Sequence, residues 1–198
     1  MRKLFSLSAL GLASALLSAP AALNAESRHS DSLETAFVAN GQIKMVLSAG
    51  GYRITRSSDN HIRLRWSVRG DRKLRRVHAE ADVDGTEATI VIDGPNNNFQ
   101  ATIEVPARSD LTVRLSAGEL SVEGIVGDKD IRLRAGELNI DVGRPEDYRH
   151  VEGSVWAGEI NAAPFDVGTG GLFRSFEREG DGEYELRAVL RAGELSLS

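Results

Sequence analysis

The chain of 198 residues contains no cysteine. That excludes a disulfide framework, thiol nucleophiles, cysteine-ligated zinc and iron–sulfur clusters. Aromatic residues make up only 6% and there are five prolines, so the core must be built mainly from Val, Ile, Leu and Ala. The four histidines, His29, His61, His78 and His150, are scattered, and none stands in a His-Glu-x-x-His spacing. A Gly-x-Ser-x-Gly elbow, a phosphate loop and a dinucleotide fingerprint are all missing. After residue 25 there is no apolar run of membrane-spanning length and no sustained helical period. No catalytic pair can be singled out among the 29 acidic residues. The chain is read as non-enzymatic, with no catalytic residue, metal ligand or cofactor assigned.

What is present begins with an export leader. Met1-Arg2-Lys3 is basic, Leu4 to Leu17 is apolar and uncharged, and Ser18 to Ala25 is rich in small residues. This is the pattern of a helical signal peptide over residues 1–25, cleaved after Ala25 or after Ala21. Removing Arg2 and Lys3 with it leaves 22 basic against 29 acidic residues, a net charge of −7. That balance, with no nucleic-acid-binding motif, argues against nucleic acid as a partner. The expected location is the periplasm or the outside of the cell, including its surface. Residues 26–38 read as a flexible lead-in and 39–198 as one β-repeat domain, with its strongest coils over 111–198.

Ala-Gly-Glu occurs four times, at Ala117-Gly118-Glu119, Ala135-Gly136-Glu137, Ala157-Gly158-Glu159 and Ala192-Gly193-Glu194. Apolar residues recur two before each Ala (Leu115, Leu133, Val155, Leu190) and three after it (Leu120, Leu138, Ile160, Leu195). A degenerate copy lies at Leu47 to Ile54. This is alternation of period two on both sides of a small-residue corner. Glycine supplies the bend and alanine the close approach of neighbouring layers, so a leucine at Ala117, Ala135 or Ala157 is expected to overpack the corner. The copies are 18, 22 and 35 residues apart, the scale of one coil of a small β-solenoid, right-handed by default. The expected fold is therefore all-β: a short-coil solenoid with an N-terminal β layer built from segments such as His61 to Arg69, or alternatively a β-sandwich. The extra residues, Gly143 to His150 and Gly168 to Gly182, are expected to loop off the stack, with a turn or two of helix near Leu172 to Glu179. Stacked coils would align Glu119, Glu137, Glu159 and Glu194 in a column neutralised by Arg114, Arg132, Arg134 and Arg191.

The order Val105-Pro106, Leu111-Thr112-Val113, Gly118 to Gly124 and Gly136 to Ile140 resembles the putative-adhesin family of bacterial β-strand-repeat proteins. The later run Gly170-Gly171-Leu172-Phe173-Arg174-Ser175-Phe176, Gly180-Asp181-Gly182, Tyr184-Glu185-Leu186 and Ala192 to Leu195 extends that resemblance over roughly residues 40–198. It implies an exported, adhesin-like β-solenoid and brings no catalytic residue with it.

Three places are candidates for binding. Arg63, Arg65, Arg69, Arg72, Lys73, Arg75 and Arg76 crowd into 14 residues opposed only by Asp71. They form either a polyanion-binding face or an ordinary outer face paired with acids. Leu172, Phe173, Arg174 and Phe176 are either an interaction loop or a cover for an open side of the stack. Trp66 and Trp156 read as packing residues. The last strand, Glu194 to Ser198, would offer an edge for self-association. The functions left open are an envelope interaction module for a glycan, polyanion or protein, a small carbohydrate-active enzyme on a β-helix, and a self-associating envelope component.

Overall fold

The structure, a computed structural model, describes residues 28–69, 74–95 and 98–198. The expected leader, Arg72 and Lys73 lie outside the described residues. The described chain is all-β. Its strands are β1 (Arg28–Ala36), β2 (Gly41–Leu47), β3 (Gly50–Ser57), β4 (His61–Arg69), β5 (His78–Asp84), β6 (Glu87–Asp93), β7 (Gln100–Pro106), β8 (Ser109–Leu115), β9 (Gly118–Glu123), β10 (Lys129–Ile140), β11 (Tyr148–Ala162), β12 (Val167–Glu179) and β13 (Tyr184–Leu197). Two short 3-10 turns, Pro145–Asp147 and Ala163–Phe165, flank β11. The thirteen strands form one sheet. It curls into a nearly closed barrel, with β1 and β5 approaching each other at the far side.

The repeat unit is a bent rung. β2 with β3, β6 with β7, and β8 with β9 each make one rung from two short strands meeting at a corner. β10, β13 and β11 make one rung each as single long strands. Parallel in-register pairing aligns equivalent residues: Ile43, Leu111, Lys129, Leu186 and Val151 share one inward column. Tyr52, Leu120, Leu138, Leu195 and Ile160 share another, beyond the corner. Alternation therefore sends every second side chain into one continuous core.

The equivalent alanines and glycines do lie over one another, but not in chain order. β13 pairs with β10 on one side and β11 on the other, so the rungs run Gly50, Gly118, Gly136, Gly193, Gly158. A solenoid wound in sequence order would put β11 beside β10. The cause is β12. The turn at Ala163–Phe165 ends with Asp166 in the left-handed region, and β12 returns antiparallel along the outer edge of β11. The chain is thereby carried back to the start of a rung, and β13 enters between β10 and β11.

The same geometry corrects five further expectations. Residues 168–179 do not loop off the stack, and Leu172 to Glu179 is not helical, because both belong to β12; of the expected loop, only 180–182 lie outside a strand. Residues 28–36 are not a lead-in: they pair along their whole length with β4. The N-terminal region is not a separate layer, since β2–β3 and β6–β7 continue the stack. The C-terminal strand presents no open edge, being paired on both sides.

The rungs approach so closely because of the corner glycines. Gly118, Gly136, Gly193 and Gly158 have φ between +121° and +143°, and a Cβ on any of them would fall on the carbonyl oxygen of the glycine one rung away. The alanines are not the tight position. Ala117, Ala135 and Ala157 are half-buried and Ala192 is exposed.

Candidate functional site

The corner column opens outward as a furrow. Its floor is the Ala-Gly backbone of successive rungs, each about 4.8 Å from the next, so six rungs from Gly50 to Gly171 span roughly 24 Å. One section, of about 530 Å³, is lined by Gly50, Phe99, Gly118, Glu119, Gly136 and Glu137. The next, of about 490 Å³, is lined by Glu137, Gly158, Glu159, Gly171, Gly193 and Glu194.

One bank is the glutamate column, which the pairing places in the order Glu119, Glu137, Glu194, Glu159. All four are exposed. The arginines expected to neutralise them do not. Arg114 donates to Asp130 at 2.7 Å and Arg132 reaches the same carboxylate at 3.4 Å. Among the described residues no ion pair joins the column to an arginine. One residue before each motif alanine stand Ser116, Arg134, Arg191 and Trp156, all exposed.

Close in the chain to the furrow-lining glycines Gly158 and Gly171 stand exposed aromatics. Trp156 is 57% exposed and Phe173 69%, with ring centroids 5.4 Å apart in an edge-to-face contact. Leu172, beside them, is 61% exposed. Phe173 has φ +55°; the other described non-glycine residues in that region, Asn40, Asn98 and Asp166, are short polar types that tolerate it. For a phenylalanine it costs about 1–2 kcal/mol. An aromatic ring held out in solvent on a strained backbone is a feature of binding sites. Trp156 is thus not packed in the core, whereas Trp66 is. The expected loop cluster divides. Phe176 turns inward against Phe165, with ring centroids 6.2 Å apart, and covers Gly153. Arg174 donates from Nε to the Gly170 carbonyl at 2.9 Å and so holds the turn that displays Leu172 and Phe173.

Of the basic run, Arg63, Arg65 and Arg69 lie on β4 and Arg75 and Arg76 beyond it. The Arg63 guanidinium donates to both Asp59 oxygens at 2.7–2.8 Å and lies 3.0 Å from Glu34. Its hydrogen bonds hold the Asp59 carboxyl below the usual carboxylate range. Arg65 is paired with Glu104. Arg75 and Arg76 are exposed beyond β4, and the Arg69 side of that strand faces solvent.

One charged residue escaped the sequence reading. Lys129 stands in an apolar column between Leu111 and Leu186 and is 1% exposed. Its ammonium donates to the Gly127 carbonyl and the Tyr148 hydroxyl, each at 2.9 Å, and sits 5.2 Å from the Tyr148 ring centre. Burial lowers its pKa from 10.5 to about 8, against the opposing pull of Asp128, Asp110 and Asp141. Burial likewise raises the Tyr148 hydroxyl to about 12. The signal was available in the alternation, because Lys129 occupies the position six before the motif alanine that is Leu111, Val151 and Leu186 in the other copies.

No family model matches this chain, and no curated protein does either. Solved structures do. A putative cell adhesion protein from Clostridium sporogenes superposes with a TM-score of 0.56 at 11% identity, covering 85% of this chain and 99% of that one. The fold is similar to that of a bacterial putative adhesin. A putative adhesin from Bacteroides fragilis is also matched, at 10% identity over 87% of this chain and 99% of its own, with a TM-score of 0.37. Among the described residues no helix is long and apolar enough to cross a membrane.

Proposed function

We propose that the protein is an exported, non-enzymatic, adhesin-like interaction module of the cell envelope, and that its corner furrow holds an extended glycan. On this reading residues 1–25 are removed as a signal peptide and the mature chain works in the periplasm or outside the cell. The bent rungs are the coils of a solenoid-type stack whose last coil is inserted. The observation that carries the reading is the exposed Trp156–Phe173 pair, with Phe173 on a strained backbone two residues beyond Gly171 of the glutamate-lined furrow. Aromatic faces and carboxylate acceptors are what sugar rings and hydroxyl groups bind. Four exposed carboxylates in a row repel an anionic polymer, so neutral or amino-bearing chains are favoured over polyanions.

A glycan screen tests it. Longer oligosaccharides should bind more tightly than short ones, and Trp156→Ala with Phe173→Ala should abolish retention without unfolding the protein. Retention unchanged in that double variant would overturn the assignment. A self-associating role keeps a specific basis in the edge of β12, which among the described residues pairs only with β11. Oligomers that grow with concentration in sedimentation and disappear in Leu172→Lys would favour it.

A further inference from the structure

We propose that His150, Glu177 and Glu179 form a divalent transition-metal site, of the zinc type, that fastens β12 to the rest of the sheet. In the β11–β12 pairing His150 lies directly opposite Glu179, and Glu177 lies two residues further along the same face. The imidazole Nδ1 is 2.8 Å from a Glu179 carboxylate oxygen and 3.7 Å from one of Glu177. One ligand atom from each of the three falls within 4.8 Å of the others. A tetrahedral zinc with bonds of about 2.0–2.1 Å sets its ligand atoms roughly 3.3 Å apart, so small rotations of the two exposed glutamates about the half-buried His150 suffice to close the set. One imidazole with two carboxylates suits zinc rather than calcium or magnesium, which prefer all-oxygen sites.

Charge points the same way. The neighbouring outward carboxylates are already matched: Glu152 lies 3.1 Å from Arg187, and Glu185 lies 2.8 Å from Arg149. Glu177 and Glu179 have, among the described residues, no cation but His150. Two like charges two residues apart on one strand face are left with a single imidazole between them. The location gives the ion a mechanical task. β12 is held on one side only, and a metal bridging His150 of β11 to two residues of β12 would pin the strand that carries Leu172 and Phe173.

The test is calorimetric titration of zinc into the purified protein, together with melting and amide hydrogen exchange. Zinc should bind at one site per chain, raise the melting temperature, and slow exchange over residues 174–179. His150→Ala and, separately, Glu177→Gln should weaken binding by roughly tenfold or more and remove both other effects. His78→Ala should change nothing, because His78, 3.4 Å from Glu80, belongs to no group of three converging ligand atoms among the described residues. Magnesium should not substitute. Absence of binding at millimolar zinc, or binding that survives His150→Ala in a variant with an unaltered circular dichroism spectrum, would overturn the proposal.

Discussion

The middle of the furrow and its end are built from one motif and differ in what stands around it. At the Gly136 rung the corner is closed on both sides by parallel neighbours, and the flanking residue is Arg134. At the Gly158 rung one neighbour is the antiparallel β12, the flanking residue is Trp156, and the column ends at Gly170 and Gly171. Neither setting leaves freedom at the glycine. The second leaves room to display aromatic side chains. Structural demand is thus concentrated in the floor of the stack, and the exposed aromatic pair stands where the stack meets β12.

The largest expected effect separates a constrained glycine from a free one. Gly136→Val should destabilise by more than about 4 kcal/mol and yield no folded protein, since the side chain collides with the Gly118 carbonyl. Gly143 also has positive φ, +66°, but nothing lies within 4 Å of its Cβ position. Gly143→Ala should therefore cost only the conformational penalty, about 1–2 kcal/mol in chemical denaturation.

The second contrast is between the lysine in the apolar column and its leucine counterparts. Lys129 has a folded-state pKa below its unfolded one, so the folded protein releases the proton first and stability rises as pH increases through about 8. The gain should reach about 2 kcal/mol by pH 10. Above that, Tyr148, whose pKa is raised to about 12, holds its proton in the folded state and reverses the trend. Denaturation across this range should show the rise, and Lys129→Met should flatten it.

A smaller effect tests the display site. Phe173→Gly relieves the positive φ and should stabilise by about 1 kcal/mol while abolishing glycan retention. Loss of stability instead would mean that the ring is structural. The smallest effect concerns the alanines. Ala135→Leu lies on the half-buried floor of the open furrow, so its unfolding free energy in chemical denaturation should stay within about 1 kcal/mol of the parent while the added side chain blocks the groove.

The rungs themselves could be read from the sequence, because alternation around Ala-Gly fixes which residues point inward and which column each joins. The degenerate copy at Leu47 to Ile54 duly forms a rung. The rung of β6 and β7 could not be read, because its corner, around Phe99, lacks the motif. The insertion of β13 was hidden for a different reason. Ala135 is compatible with Ala157 or Ala192 as neighbour, and the choice is made by how β12 returns, which no local pattern records. The same strand explains the misplaced site residues. As a helix or loop, Leu172 to Glu179 offers no register, whereas as β12 it brings Phe173 to Trp156 and Glu179 to His150.

The absence of cysteine makes the order of rungs directly measurable. Glu137 and Glu194 are register partners, as are Glu194 and Glu159, while Glu137 and Glu159 stand two rungs apart. Paired strands bring their Cα atoms within disulfide range, and strands two rungs apart do not. Under mild oxidation, Glu137→Cys with Glu194→Cys and Glu194→Cys with Glu159→Cys should each cross-link, and Glu137→Cys with Glu159→Cys should not. Cross-linking of the last pair, with Glu194→Cys left reduced beside Glu137→Cys, would restore a stack wound in chain order and contradict the account.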